Sequence, residues 1–272
     1  MKNLLYILFL FALPIQAQFA MPPPFSLETQ EYLVQTSTKP CGQCIGKIDS
    51  VLRTLRAKDM YTLCDRIFEF AQDLSANAII PLVNPKGLNA TWPTTAIIYN
   101  SATFTANKGF TGNGYNMYVD LKFNPTTADS VNYHRFSSAF GFFSDVNIAA
   151  ANKMEMAQNV LNNAACIQVD YTGTTGWYDA QSSSSVGYPY ATGGSNVGMY
   201  SSVRTTSTAI AMWKNGSSLD SRTIAATTFA SSNFDILCGG AYYSSVCVSF
   251  AFITSGSIAQ LPFYNIVKNL KP

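Results

Sequence analysis

Between residues 115 and 123, Tyr115, Met117, Val119, Leu121 and Phe123 alternate with Asn116, Tyr118, Asp120 and Lys122. A period of two marks a strand with one face on a core, and it predicts such a strand here. Gly109, Gly112, Asn113 and Gly114 lead into it through turns, and Pro125 ends it. Near the C-terminus Val246, Val248, Phe250 and Phe252 share one face of a strand over 246–253. Gly256 then breaks the chain, and Phe263, Ile266, Val267 and Leu270 fit a short closing helix.

Helical spacing governs an earlier stretch. Ile45, Ile48, Val51, Leu52 and Leu55 fall on one side of a helix, with Lys47, Asp49, Arg53 and Arg56 on the other. A strand is predicted over 63–70, then a short helix N-capped by Ser75 and reaching about residue 83, with Pro81 working against its end. Further strands are expected at 136–143, 165–171, 202–213 and 222–228, with Asn215-Gly216 as a hairpin turn. Residues 25–40 lack a clear period and read as irregular surface chain. Residues 147–163 fit either a helix or a long loop, and Ser182 to Ser185 read as a flexible loop.

Many short strands joined by Gly, Ser and Asn turns argue for an all-β sandwich. The segments "FTANKGFTGNGYNMYVDLKFNP" and "VSFAFITSGSIAQLPFYNIVKNL" resemble the concanavalin A-like (laminin-G-like) jelly-roll domains of secreted bacterial proteins and phage structural proteins. The order of elements over about 45–270 carries the resemblance, from opening helix through the Trp213–Ser217 hairpin to the closing helix. Leu261-Pro262 departs from the pattern and is expected to shorten that helix. The resemblance implies a jelly-roll β-sandwich with a few short peripheral helices and a task in extracellular recognition. It leaves open a structural calcium at the rim.

Lys2, an apolar run from Leu4 to Ile15 and the small Ala17 have the layout of a secretory signal. The organisation expected is a signal peptide over 1–17, a Pro-rich leader over 18–40 and one sandwich domain over 41–272. An uncleaved N-terminal anchor competes with cleavage, and no later segment is long and apolar enough to span a bilayer. The expected location is secreted or cell-surface, a virion surface included. With 12% charged residues and a formal net charge of +2, the chain lacks the clustered basic stripe that nucleic acid requires.

Six cysteines suit an oxidising compartment. Cys238 and Cys247 bracket a glycine-containing turn and are expected to form a disulfide, although both also read as buried thiols. The pairing of Cys41, Cys44, Cys64 and Cys166 stays open. Cys41-Gly-Gln-Cys44 opens the 45–58 helix, where a thiol is activated, so a redox site competes with a structural reading. The structural reading is preferred because no thioredoxin-like alternation of strands and helices follows.

No catalytic residues are assigned. Glu28, Glu31, Glu69 and Glu155 form no paired-carboxylate pattern of the glycosidase kind. The single His134 lacks a nucleophile elbow, and zinc is poorly supplied. Asp120, Asn124, Asp129 and Asp145 are calcium candidates, with solvated turns the preferred reading. Trp177, Tyr178, Asp179, Gln181, Tyr188, Tyr190 and Asn196 are the candidate ligand-binding residues. Aromatic faces stack on sugar C–H surfaces and short polar groups bond hydroxyls, while burial under a loop is the competing use of such rings.

The function expected is a non-catalytic extracellular recognition or adhesion module, with a glycan or a surface protein as partner and carbohydrate as a candidate ligand. A structural virion or cell-surface subunit is the alternative, and a glycoside hydrolase is less favoured.

Overall fold

The computed structural model describes residues 25–87, 90–127, 130–145, 153–158, 165–169, 176–180, 190–192, 197–239 and 242–270. The expected signal peptide (1–17) and residues 18–24 of the expected leader lie outside them. The helices are α1 (Leu27–Gln35), α2 (Gly42–Ala57), α3 (Ser75–Ala78) and α4 (Gln260–Val267). The first half of the chain supplies strands β1 (Cys64–Glu69), β2 (Ile97–Tyr99), β3 (Thr103–Thr105), β4 (Gly109–Thr111), β5 (Tyr118–Asp120) and β6 (Ser138–Ser144). Next come β7 (Met156–Gln158), β8 (Cys166–Gln168), β9 (Gly176–Ala180), β10 (Tyr190–Thr192), β11 (Gly198–Arg204) and β12 (Ala209–Lys214). The chain closes with β13 (Ser217–Thr223), β14 (Phe234–Ile236), β15 (Cys238–Gly239), β16 (Tyr242–Tyr243) and β17 (Cys247–Thr254).

These strands make an all-β sandwich of two antiparallel sheets, with β15 and β16 paired in a separate hairpin. The first is ordered β13-β12-β11-β6-β17-β4-β3, with β1 also on β17; the second is ordered β10-β9-β8-β7-β14-β5-β2. Between them lies a core that includes Phe140, Phe142, Tyr200 and Ile253 from the first sheet and Val119, Ile167, Phe234 and Ile236 from the second. A second core lies on the far side of the first sheet. There Phe143, Met199, Phe250 and Phe252 meet Ile48, Leu52 and Leu55 of α2 and Phe263 and Ile266 of α4. The first sheet is therefore apolar on both faces, which is why β1, β6, β11 and β17 are buried along their whole length.

The amphipathic helix is present and begins at Gly42. The Asn-Gly turn also forms, with φ of 51° at Asn215 and 78° at Gly216, the left-handed pair that a tight two-residue hairpin requires. Other segments differ for local reasons. Residues 27–35 are helical rather than irregular, because Ser26 caps α1 and Asp49 accepts bonds from the Ser26 N–H and the Thr29 hydroxyl. The helix expected from an N-cap at Ser75 is a single turn that starts at Ser75 and stops before Pro81.

The strand predicted at 115–123 is regular only at Tyr118–Asp120. The Asn113 side chain gathers the N–H groups of Tyr115, Asn116 and Met117 into a turn, and Lys122 has a φ of 52°. Tyr115, assigned to the core face, is 77% exposed, whereas Val119, Leu121 and Phe123 are fully buried. In β17 the pairing slips between Val248 and Phe250. That bulge splits the expected single face: Val246 and Val248 enter the core between the sheets, Phe250 and Phe252 the helix-side core.

The expected Cys238–Cys247 disulfide is not formed. Both cysteines are buried thiols, as are Cys64 and Cys166, and the one disulfide among the described residues joins Cys41 to Cys44. The reason is register: Cys238 pairs across its ladder with Tyr243, while Cys247 pairs with Thr111 in the first sheet.

Candidate binding face

In its central strands the second sheet turns its large apolar side chains toward the shared core. Alternation along β5 sends Val119 into the core and leaves Tyr118 and Asp120 on the outside. In β14, Phe234 and Ile236 point inward and Asp235 outward; in β2, Ile98 packs on the core between Ile97 and Tyr99. Helices α2 and α4 lie beyond the first sheet and do not cover this outer face.

Ladder register then assembles a cluster from residues far apart in sequence. Tyr99 is opposite Tyr118, and Asp120 is opposite both Ile97 and Asp235. The Tyr99 and Tyr118 rings stack with centroids 4.6 Å apart and planes within 6°. Tyr243, carried by the β15–β16 hairpin, leans on Tyr118 at 6.4 Å. Asp120 receives 3.1 Å bonds on both oxygens from the Asn233 amide, and a 2.8 Å ion pair from Lys122 Nζ. The left-handed backbone at Lys122 permits that return: its own N–H also donates to Asp120 Oδ1, and its ammonium lies 5.8 Å from the Tyr99 ring centre.

The electrostatics follow from this packing. Burial, reinforced by the Asp120 charge and opposed by Lys122, pushes Asp235 up to about 8, so it is largely protonated at neutral pH. Its Oδ2 is buried without a hydrogen-bond partner. Burial first, then Asp235, push Tyr118 up to about 12, keeping its hydroxyl neutral and able to donate. The hydrogen bond to Asp120 raises Lys122. The face thus offers stacked aromatic rings, an ammonium, an ordered carboxylate and neutral phenols. Asn100, Asn113 and Asn116 bond one another's loops at its rim.

The sequence-predicted ligand residues fall at the other end of the same sheet. Trp177, Tyr178 and Asp179 lie in β9 and Tyr190 in β10, and the two strands pair with Tyr190 opposite Tyr178 and Ala191 opposite Trp177. Gln181, Tyr188 and Asn196 lie outside the described residues. Sequence reasoning treated Asp120 only as a calcium candidate and missed Tyr99, Lys122, Asn233 and Asp235. The outward positions of the alternating pattern were the signal for Tyr118, Asp120 and Lys122; nothing local marks Tyr99, Asn233 or Asp235.

Among the described residues, the calcium candidates do not converge. Asp145 follows β6 of the first sheet and lines an open hollow of about 630 Å³ with Lys108 and Cys247. Asn124 caps its own turn through Thr126, and Asp129 lies outside the described residues. His134 sits in a turn closed by reciprocal backbone bonds with Ser137.

No protein-family model matches the chain, and no curated protein sequence does. Solved structures are similar in fold. The binding domain of botulinum neurotoxin serotype D aligns over 78% of this chain and 52% of its own, at 9% identity and a TM-score of 0.51. A Trypanosoma rangeli sialidase in complex with 2,3-difluorosialic acid aligns over 82% of this chain and 38% of its own, at 10% identity and 0.48. Domain 4 of AbnA, a GH43 extracellular arabinanase from Geobacillus stearothermophilus, in complex with arabinotriose, gives 75%, 98%, 10% and 0.47. The chain thus spans about half the length of the toxin domain and less of the sialidase. At these identities the likeness is one of fold alone.

Proposed function

We propose that this chain is a non-catalytic extracellular recognition module of concanavalin A-like architecture, that its ligand is a carbohydrate, and that the outer face of the second sheet receives it. The Tyr99–Tyr118 stack beside the Lys122–Asp120 pair is the observation that carries this reading. Sugars present apolar C–H faces to rings and hydroxyls to charged and amide groups, and this face holds both kinds of partner within one cluster. The Cys41–Cys44 disulfide supports export to an oxidising compartment, and no described helix is long and apolar enough to cross a membrane.

Two neighbouring aspartates invite comparison with a glycosidase. Asp235, however, is 1% exposed, and Asp120 is already held by Asn233 and Lys122, so neither is free to meet a glycosidic bond. A structural subunit is the second reading. It is favoured by the exposed apolar side chains Ile97, Tyr115 and Tyr242 on or beside the same cluster, which suit a protein contact.

A glycan array probed with the purified exported protein tests the proposal, with light scattering and a reducing-end assay on the array's hits. Selective binding by a monomer without sugar release is the expected result. Ordered oligomers with no glycan bound would establish the structural reading instead, and turnover would make the protein a hydrolase.

A further inference from the structure

The Cys41–Cys44 disulfide lies at the start of α2, apart from the candidate binding face on the second sheet. Cys41 is the N-cap of this sixteen-residue helix, and its Sγ accepts a 3.2 Å bond from the Cys44 N–H. Cys41 is exposed and Cys44 half-buried. A sulfur in that place is stabilised as a thiolate by the helix N-terminus and by the amide aimed at it.

A second element brings a carboxyl group to the pair. Asp73, in the turn between β1 and α3, accepts the Cys41 N–H at 2.9 Å. One of its oxygens and both sulfurs lie within 4.8 Å of one another, while its Oδ1 is buried with no hydrogen-bond partner. Beneath it, the Gln72 amide donates to the buried Glu69 at 2.9 Å, and Gln72 Oε1 is buried without a partner. Burial pushes Glu69 up to about 8, with Lys47 opposing, so this neighbour adds little negative charge at neutral pH.

We propose that Cys41–Cys44 is a thiol–disulfide exchange site that takes two electrons from a dithiol, with Asp73 carrying the proton between the incoming thiol and the leaving sulfur. The first thiol of the dithiol gives its proton to the Asp73 carboxylate and attacks the exposed Cys41 Sγ. The Cys41–Cys44 bond breaks, its electron pair goes to Cys44 Sγ, and Asp73 returns the proton there. The second thiol then attacks the dithiol's own sulfur in the mixed disulfide. Cys41 leaves with the electron pair and takes the second proton. The dithiol is oxidised to a disulfide, and the protein pair is reduced to two thiols. The other described cysteines are buried thiols, and burial raises Cys64, Cys238 and Cys247, so they stay out of the exchange.

Full-length exported protein, equilibrated in glutathione buffers of graded ratio and tagged with a maleimide under native conditions, provides the test. Two tags per molecule, both mapping to Cys41 and Cys44, are expected to appear across the series. Mixed with a reduced synthetic dithiol peptide, the oxidised protein should oxidise it about 100-fold faster than oxidised glutathione does, with Asp73→Asn slowing the transfer by roughly tenfold at an unchanged melting temperature. A pair that stays oxidised in the most reducing buffer, or that oxidises the peptide no faster than glutathione, overturns the proposal without recourse to any variant.

Discussion

The two sheets of this sandwich are built from similar residues and face different surroundings. The first is pressed between the shared core and the layer of α2 and α4, so β6, β11 and β17 are buried throughout, and polar residues on them must find partners inside the protein. Ser201 does so by donating to Gln260 of α4, and Arg204 by donating to the Ile224 carbonyl. The second sheet shares the core on one side only. On the other it collects Tyr99, Tyr118, Asp120, Lys122 and Asp235. The proposed binding face is this second side, where the Tyr99–Tyr118 stack lies beside the Lys122–Asp120 pair.

Breaking the first sheet should be the most damaging. Phe252 packs against Phe250 and, at 4.9 Å, edge-on to Phe263 of α4. Phe252→Ala is expected to cost about 3–5 kcal/mol in urea unfolding, the usual penalty for a large ring removed from a core. A loss below about 1 kcal/mol would mean that the helix layer does not depend on this face.

On the second sheet, Asp235 should work against stability as pH rises. Its folded value near 8 lies above the ordinary carboxyl value of 3.8, so between those limits the folded state binds a proton that the unfolded state has lost. Stability contributed by this group is therefore complete at low pH and falls as pH climbs toward 8. Asp235→Asn cannot titrate, and its melting temperature should gain on the native protein from pH 4 to pH 8, by more than about 1 kcal/mol in unfolding free energy. Parallel pH curves for the two proteins would refute a buried, protonated Asp235.

The smallest effect belongs to the edge. Arg222 pairs with Asp220 at 2.8 Å on the exposed strand β13. Arg222→Ala should change thermal stability by less than about 0.5 kcal/mol, because exposed pairs gain little against water. A larger change would show that the edge of the first sheet matters as its faces do.

Regular repetition was legible in the sequence. Ile48, Leu52 and Leu55 announced α2, and Asn215-Gly216 announced its hairpin, because helix spacing and left-handed turns are local properties. What failed depended on partners distant along the chain. The bulge beside Ser249 that turns Phe250 and Phe252 toward the helices exists only where β17 meets β4 and β6. Cys238 and Cys247 looked like hairpin partners by spacing alone, yet their strands belong to different ladders. The cluster on the second sheet joins residues 99, 118, 122, 233 and 235 through register, and no local motif encodes register.

The central claim is that the outer face of the second sheet binds a carbohydrate through the Tyr99–Tyr118 stack. It is tested most directly by titrating the best array glycan into the native protein and into Tyr118→Ala, with thermal unfolding measured on both. The account predicts affinity weakened by about tenfold or more, with stability changed by less than about 1 kcal/mol. Equal affinities for the two proteins would contradict it.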